Sequence, residues 1–462
     1  MLEVLVWEKA LQPRDRQKFF NHRFLEKKFK KGLSQLMKVL LISANTETVN
    51  MPVLPLGLAF IARAAENAGH SIQMINIMDP EELLAAAERS IKAFAPDVIG
   101  ISVRNIDDQA MESPKFMLGP VRSLIDVCKK ATDSPIVIGG AGYSIFPEAA
   151  LSYLGADFGI CGQGESAFVN LLEQIETGGD PARIPRVYQP GKTPPRYSEP
   201  HLLMPDDDLP LPRVHLSSPF DSGAENLWMP FQIRRGCPMN CSYCSTSAIE
   251  GKIIRKRDLA VAVDMLSEYQ KAGFHNFFFV DNIFNMPVSY AKSLCRLILE
   301  KSIDISWRCI IYPWKLDDEL AKLMAESGCT EVSLGFESGA ADNLKNLNKR
   351  FSPEDVRQVS QALKKYKIGQ MGFLLLGVPG ETWDTIKENF EFAERLDLDK
   401  MKVTCGIRIY PGTELAKTAV KQGIIAPDDN LLFPKFYVEP GIRDTLKPAV
   451  EKWMDKYPNW FW

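Results

Sequence analysis

The chain has 462 residues, enough for two or three domains with real cores. Hydrophobic residues make up 45% and charged residues 24%, a soluble globular mix, and the net charge of −3 argues against a broad nucleic-acid-binding face. No run approaches the roughly 18 apolar residues of a membrane span. Charges recurring from Glu8 onward leave no signal-peptide core, so a reducing cytoplasm is the expected setting. The nine cysteines agree with that compartment. Their odd number and scattered placement do not describe a disulfide framework, and Cys128, Cys161, Cys295, Cys309, Cys329 and Cys405 read as buried small hydrophobes.

Residues 1–37 form a basic, Phe-containing extension without a clear partner element. From Val39 the chain alternates between strands and helices. Strand runs are "VLLISA" (39–44), "IQMINI" (72–77), "VIGISV" (98–103), "IVIGGA" (136–141) and "FGICG" (158–162). Helical patterns such as "LGLAFIARAAENAG" (56–69) lie between them. Residues 38–176 therefore predict a doubly wound, Rossmann-like domain with a five-stranded parallel sheet. Ligands bind such sheets at the carboxyl ends of the strands, here the loops starting at Asn45, Arg104, Gly142 and Gly162.

Prolines punctuate residues 177–226, which read as a linker without regular helix or strand. A second alternation follows with "FQIRRG" (231–236), "FFFVDNIF" (277–284), "ISWRCII" (305–311), "EVSLGF" (331–336), "GFLLLG" (372–377) and "VTCGIRIY" (403–410). Six βα units over 227–420 predict a partial TIM-like (β/α)6 barrel, with its chemistry at the C-terminal strand ends. Residues 421–462 read as a C-terminal extension whose "YPNWFW" tail serves aromatic packing.

The chemical signal is "GCPMNCSYC" (236–244), with Cys237, Cys241 and Cys244 in C-x3-C-x2-C spacing. A structural zinc site takes four protein ligands in paired spacing, and the nearest other candidates are a lone His215 and His275. An iron–sulfur cluster suits thiolates better, and three ligands on a four-iron cluster leave one iron open.

Three cysteines after the first strand of a six-unit βα barrel resemble the radical S-adenosylmethionine (SAM) superfamily, whose signature is C-x3-C-x-aromatic-C; Tyr243 fills the aromatic position. "VDNIF" (280–284), "SLGFESG" (333–339), "FLLLGVPGET" (373–382) and "IYPGTELAK" (409–417) resemble the family's second-, fourth-, fifth- and sixth-strand endings. The resemblance implies a [4Fe–4S] cluster on Cys237, Cys241 and Cys244, and SAM contacts from Tyr243, Asp281, Asn282, Arg308, Glu337, Ser338 and Gly377. The second-strand loop reads Asp281-Asn282 where the family commonly has Gly-Gly-Glu.

The first domain resembles the cobalamin (B12)-binding branch of that superfamily. "LPLGLAFIARAAENAGH" (54–70), "IVIGGAGYSIFPEAAL" (136–151) and "GICGQGE" (159–165) carry the likeness. It implies cobalamin contacts from Asn45, Pro55, Leu56, Gly57, Ser102, Arg104, Asn105, Gly139, Gly140, Gly142, Gly162, Gly164 and Glu165. Glycines at these strand ends would let backbone approach a large ring. The loop "NTETVNMPVLP" (45–55) has no histidine, so cobalamin is expected to lack a protein histidine on cobalt.

The resemblance implies a monomeric, oxygen-sensitive enzyme, with one SAM methylating reduced cobalamin and a second supplying a radical. Methyl transfer to an unactivated carbon or phosphorus of a small-molecule, lipid or natural-product substrate is the expected reaction. An electron donor such as flavodoxin or ferredoxin is the expected partner, with no nucleic acid. Radical cyclisation, ring contraction or oxygen insertion is the first rival, since both cofactors would serve it. A methylthiotransferase would carry extra N-terminal cluster cysteines, but residues 38–176 hold only Cys128 and Cys161. A non-catalytic cobalamin sensor would have no use for the three-cysteine loop.

Overall fold

The computed structural model describes residues 36–47, 54–192 and 227–462. Most of the basic extension, part of the loop after the first strand and most of the proline-rich linker lie outside these residues.

The first sheet contains β1 (Lys38–Ser43), β2 (Ser71–Asn76), β3 (Val98–Ser102), β4 (Ile136–Gly139), β5 (Phe158–Ile160) and β6 (Val187–Tyr188). Its order is β2-β1-β3-β4-β5-β6. The first five strands are parallel and rich in Val and Ile, because helices cover both faces and leave little room for polar side chains. Helices Leu56–Asn67 and Glu165–Thr177 cover one face over a core that includes Leu41, Leu58 and Phe168. Helices Pro80–Phe94, Leu118–Ala131 and Pro147–Leu154 cover the other. The order reverses between β1 and β3, so the crevice for a ligand opens where Asn45 and Ser102 emerge.

Two expectations change here. The sheet has six strands rather than five, and β6 lies in the stretch read as linker without regular structure. β6 pairs antiparallel with β5 through Ile160–Val187, which covers the edge of β5.

The second sheet has β7 (Met229–Phe231), β10 (Asn276–Phe279), β11 (Ser306–Ile311), β12 (Cys329–Glu337), β13 (Gly369–Leu376), β14 (Lys400–Cys405) and β17 (Trp460–Phe461). The order is β17-β14-β13-β12-β11-β10-β7, with every pair parallel. The end strands β7 and β17 do not pair, so the barrel is open on one side. The central strands bury alternate residues along much of their length against the outer helices, as in β11, where Trp307, Cys309 and Ile311 point outward.

Two short ribbons decorate this barrel. β8 (Arg234–Arg235) pairs with β9 (Arg255–Lys256), so the cysteine loop is the excursion between them. The run expected as one strand over 403–410 divides at Gly406, with β15 (Ile407–Arg408) turning away to pair with β16 (Phe436–Tyr437). The C-terminal region is also more than an appendage. β17 extends the sheet, and Trp460 stacks near Phe390 with ring centroids 5.9 Å apart.

The two halves share an apolar core. Tyr143 and Phe146 of the first half belong to the same buried cluster as Leu375, Ile409 and Tyr437 of the second. A buried ion pair crosses the boundary, with Arg408 Nε donating to Asp107 Oδ2 at 2.8 Å. An interface of this kind holds the strand ends of both sheets in a fixed relation.

Candidate active site at the domain boundary

The cysteine loop is held from several directions. Gly236 has φ +88°, and a β-carbon there would lie 2.1 Å from the Ile253 carbonyl oxygen, so only glycine fits. Its N–H donates to Glu250 Oε2 at 2.9 Å, and Cys237 N–H donates to the Gly251 carbonyl. Asn240 turns the loop in left-handed conformation, φ +56°, while Asn348 donates to its carbonyl at 2.6 Å. Ser242 N–H donates to the Leu347 carbonyl, and the Ser242 carbonyl accepts from Leu415.

All three cysteines are half-buried free thiols. Burial first, then the neighbouring cysteines, pushes the Cys237 thiol up to about 11. Burial also raises Cys241, against the opposing charge of Lys349. Thiols in this position ionise when a bound metal supplies positive charge. Among the described residues, no group of three Cys, His, Asp or Glu side chains is arranged to hold a single metal ion. A four-iron cluster makes a different demand, because each cysteine binds a different iron.

Asp281, expected to touch a cofactor, does other work. It is completely buried; Oδ1 accepts from the Ile233 and Arg234 backbone N–H groups and Oδ2 from Arg234 Nε, each at 2.9 Å. That triple attachment fixes the strand leading into the cysteine loop. Its neighbour Asn282 does reach the boundary cavity, and donates to Glu250 Oε2.

Tyr243 and Glu337 meet. The Tyr243 hydroxyl donates to Glu337 Oε1 at 3.0 Å, and Lys349 Nζ lies 3.0 Å from that hydroxyl and 3.3 Å from the carboxylate. Glu337 has φ +62° at a register shift between β12 and β13, which turns its side chain out of the strand pattern. Burial opposes the charge of Lys349, yet Tyr243 and Glu337 hold its ammonium well above the usual lysine value.

Ser338 is completely buried. Its hydroxyl donates to Asn389 Oδ1 at 2.6 Å, and Asn389 also accepts from the Gly339 N–H. Asn389 Nδ2 and Asn343 Nδ2 donate to Glu381 Oε1, while Gly377 and Val378 N–H groups donate to Glu381 Oε2. This network ties the end of β12 to the end of β13, so Ser338 and Gly377 position those loops. Burial pushes the Glu381 carboxyl up to about 7 despite its four N–H donors.

Arg308 stands apart from the other expected SAM contacts. It is in the first half of β11, its guanidinium lies 3.4 Å from the centroid of Trp228, and it pairs with Glu331 at 3.8 Å. This places it nearer the N-terminal ends of β11 and β12 than their C-terminal ends.

Between the two sheets lies a cavity of about 500 Å³. The first domain contributes Asn45, Pro55, Leu56, Gly57, Ser102, Arg104, Gly139, Gly140, Gly162, Gly164 and Glu165 to its walls, and the second contributes Gln232, Arg235, Thr246, Glu250 and Asn282. Asn45 Nδ2 is buried there without a hydrogen-bond partner among the described residues. Arg104 lines the opening as an exposed residue, and partial desolvation of its guanidinium lowers its pKa. In front of Gly57 nothing lies within 4 Å, so its missing side chain widens the cavity. Thr246 connects this space to the cysteines, since Cys244 Sγ donates to Thr246 Oγ1 at 3.2 Å.

Some expected contacts serve the walls instead. Asn105 does not line the cavity; a β-carbon on Gly142 would lie 2.9 Å from the Arg104 carbonyl oxygen, so Gly142 lets two loops touch. At Gly140, φ +104° and a 2.6 Å approach to the Val103 carbonyl leave no room for a side chain. Glu165 accepts from Arg235 Nη1 at 2.7 Å, in a buried pair that joins the domains. Arg235, Glu250, Lys349 and Glu381 were not singled out from the sequence. Their side-chain partners lie 12 to 106 residues away for Glu250 and Lys349, and only the pairing marks them.

Comparison with known families falls on these same units. The B12-binding domain family matches residues 42–172, and the Radical SAM superfamily matches residues 231–393. The chain belongs to the B12-binding radical SAM enzymes. An uncharacterized methyltransferase of Pyrococcus horikoshii is 26% identical over 403 residues, 85% of each chain. Tryptophan 2-C-methyltransferase of Streptomyces laurentii is 22% identical over 446 residues, 82% of this chain and 74% of that one. The radical SAM methyltransferase TsrM of Kitasatospora setae, solved with cobalamin and a [4Fe–4S] cluster bound, superposes with a TM-score of 0.77 at 21% identity, covering 88% and 85% of the two chains. That likeness agrees with an α/β first domain followed by a parallel-sheet barrel. Membership implies SAM, cobalamin and a [4Fe–4S] cluster as cofactors.

Proposed function

We propose that this B12-binding radical SAM enzyme transfers a methyl group to an unactivated carbon of a small molecule or lipid; phosphorus is the other acceptor in view. The observation that carries the reading is that the three-cysteine loop opens beside a cavity walled by both domains, through Thr246 and Glu250. The donor set fits the cofactors. Three half-buried thiols without a disulfide suit a cluster with one open iron, and a glycine-lined cavity with an orphaned Asn45 amide suits a large polar ring. Bound there, the cluster with SAM would supply an organic radical and cobalamin would supply a methyl carrier.

The residues of this chain then do the positioning. Cys237, Cys241 and Cys244 are the proposed cluster ligands, and Asp281 with Arg234 fixes the loop that carries them. The Tyr243–Glu337–Lys349 contact keeps a carboxylate and an ammonium at the edge of that loop. Arg104 and the Gly139–Gly140 and Gly162–Gly164 segments face the cobalamin side, and no histidine lines the cavity among the described residues. The apolar core shared by the domains excludes water from one flank of the site. An external donor of the flavodoxin or ferredoxin kind supplies the electron. Among the described residues no helix is long and apolar enough to cross a membrane.

The test supplies SAM with a deuterated methyl group to anaerobically reconstituted protein in a fractionated metabolite extract. The reading expects 5′-deoxyadenosine together with a product carrying the labelled methyl. If 5′-deoxyadenosine forms and the product gains no carbon, the reaction is a cyclisation or rearrangement and methyl transfer is wrong.

A further inference from the structure

The inner face of the barrel is an open trough. On β14, Met401, Val403 and Cys405 are buried in the core under the helices, whereas Lys402 and Thr404 are half-buried on the opposite face. The same alternation places Ser333 of β12 and Met371 and Phe373 of β13 on the inner face. Strand register sets the neighbours of Lys402, with Phe373 beside it on β13 and Phe461 beside it on β17. Trp460 points outward against Phe390, so Phe461, 39% exposed, faces the trough.

Charge in this trough is unbalanced. Below Lys402, Glu331 is already shared by Lys400 at 2.8 Å and Arg308 at 3.8 Å. Above it, Glu337 is taken by Tyr243 and Lys349. Lys402 lies between these two engaged carboxylates and has no ion-pair partner among the described residues.

We infer that Lys402 is an anion-binding residue of the substrate site, and that the substrate joins a carboxylate or phosphate to an apolar body lying between Phe373 and Phe461. The inference rests on the proposed methyl transfer and places the substrate of that reaction on the inner face of the barrel, below the cysteine loop. A half-buried ammonium without a counter-ion gains charge-assisted hydrogen bonds from an incoming oxyanion, and a lysine serves either oxyanion as a point charge. An anion held there points the rest of the substrate up the strands, toward Glu337 and the cysteine loop. The aromatic neighbours favour a flat or branched apolar body over an extended polar one.

The experiment measures equilibrium binding of three probes to the anaerobically reconstituted full-length protein: 3-phenylpropionate, its neutral amide, and 2-phenylethyl phosphate. At least one anion should bind about tenfold tighter than the amide. That preference should disappear in Lys402→Met and Lys402→Gln and persist in Lys402→Arg. The tighter anion identifies the oxyanion. In the wild-type protein the same anion should protect Lys402 from amine acylation, read by peptide mass, a measurement that needs no variant. Equal binding of all three probes, no binding of either anion, no protection, or a preference that survives Lys402→Met overturns the assignment. Iron and cobalamin content of the wild-type sample report separately on the cofactor reading, so its failure leaves a different signature.

Discussion

The Tyr243 hydroxyl donates to Glu337 at 3.0 Å, and Lys349 closes the triangle from a buried position. This joins the aromatic residue of the cysteine loop to the end of β12. Lys349→Met leaves a carboxylate facing a phenol in a site with little water, and removing one member of a buried pair costs about 3–5 kcal/mol. The melting temperature and the iron content after reconstitution should both fall. Adding Glu337→Gln should recover part of that loss, because the stranded charge goes with it. A double variant no better than Lys349→Met alone would show that the triangle is not a coupled unit.

Asp281 makes a related prediction on the other side of the loop. Asp281→Ala removes the acceptor for three N–H groups and leaves the Arg234 guanidinium buried. The loss should be about 3–5 kcal/mol, read as a lower denaturant midpoint and poor iron uptake. Asp281→Asn keeps one acceptor oxygen and should fall between the two. If Asp281→Ala instead folds normally and loses only affinity for SAM, the residue is a ligand contact after all.

Much of this arrangement was legible in the sequence, and the failures have physical causes. Apolar runs separated by helical periodicity gave both parallel sheets, because burial on two faces leaves a strong local pattern. β6 and β17 escaped notice because two-residue pairings carry no periodicity. Cys237, Cys241, Cys244 and the glycine-rich strand ends stood out by spacing. Asp281 and Ser338 look like ligand contacts in the sequence, whereas each is held by a partner distant in sequence; Glu165 lines the cavity with one oxygen taken by Arg235. For Arg308, position along β11 decides which end of the barrel the side chain serves, and composition does not report that. The pairs Arg408–Asp107 and Lys349–Glu337 were invisible because only folding brings their members together.

Glu381 predicts a pH dependence. Burial raises its folded value to about 7 from the ordinary 4.5. Between those values the folded chain keeps a proton that the unfolded chain has released. Its contribution to stability is therefore full at low pH and is lost as pH rises toward 7. Glu381→Gln removes the titration, so its stability profile between about pH 5 and 8 should fall less than that of the wild type. Parallel profiles would mean that the four N–H donors keep the carboxylate ionised throughout.

Gly406 tests the domain boundary. Its φ is +78°, and a β-carbon there would lie 2.5 Å from Met111 Sδ of the first domain. Gly406→Ala should cost about 1 kcal/mol for the backbone alone, plus the clash with Met111. Adding Met111→Ala should recover the second part and not the first, seen as a partial return of the melting temperature. Full recovery would mean that the backbone is not strained, and no recovery that Met111 has room to move.

One chain is proposed to hold both an iron–sulfur cluster and cobalamin at the boundary of its two domains. Elemental analysis of the anaerobically reconstituted, desalted protein measures iron, cobalt and zinc in one sample. About four irons and one cobalt per chain are expected, with iron lost and cobalt kept when Cys237, Cys241 and Cys244 are changed together to alanine. Stoichiometric zinc in place of iron, or a protein that retains no cobalt, would contradict the proposal.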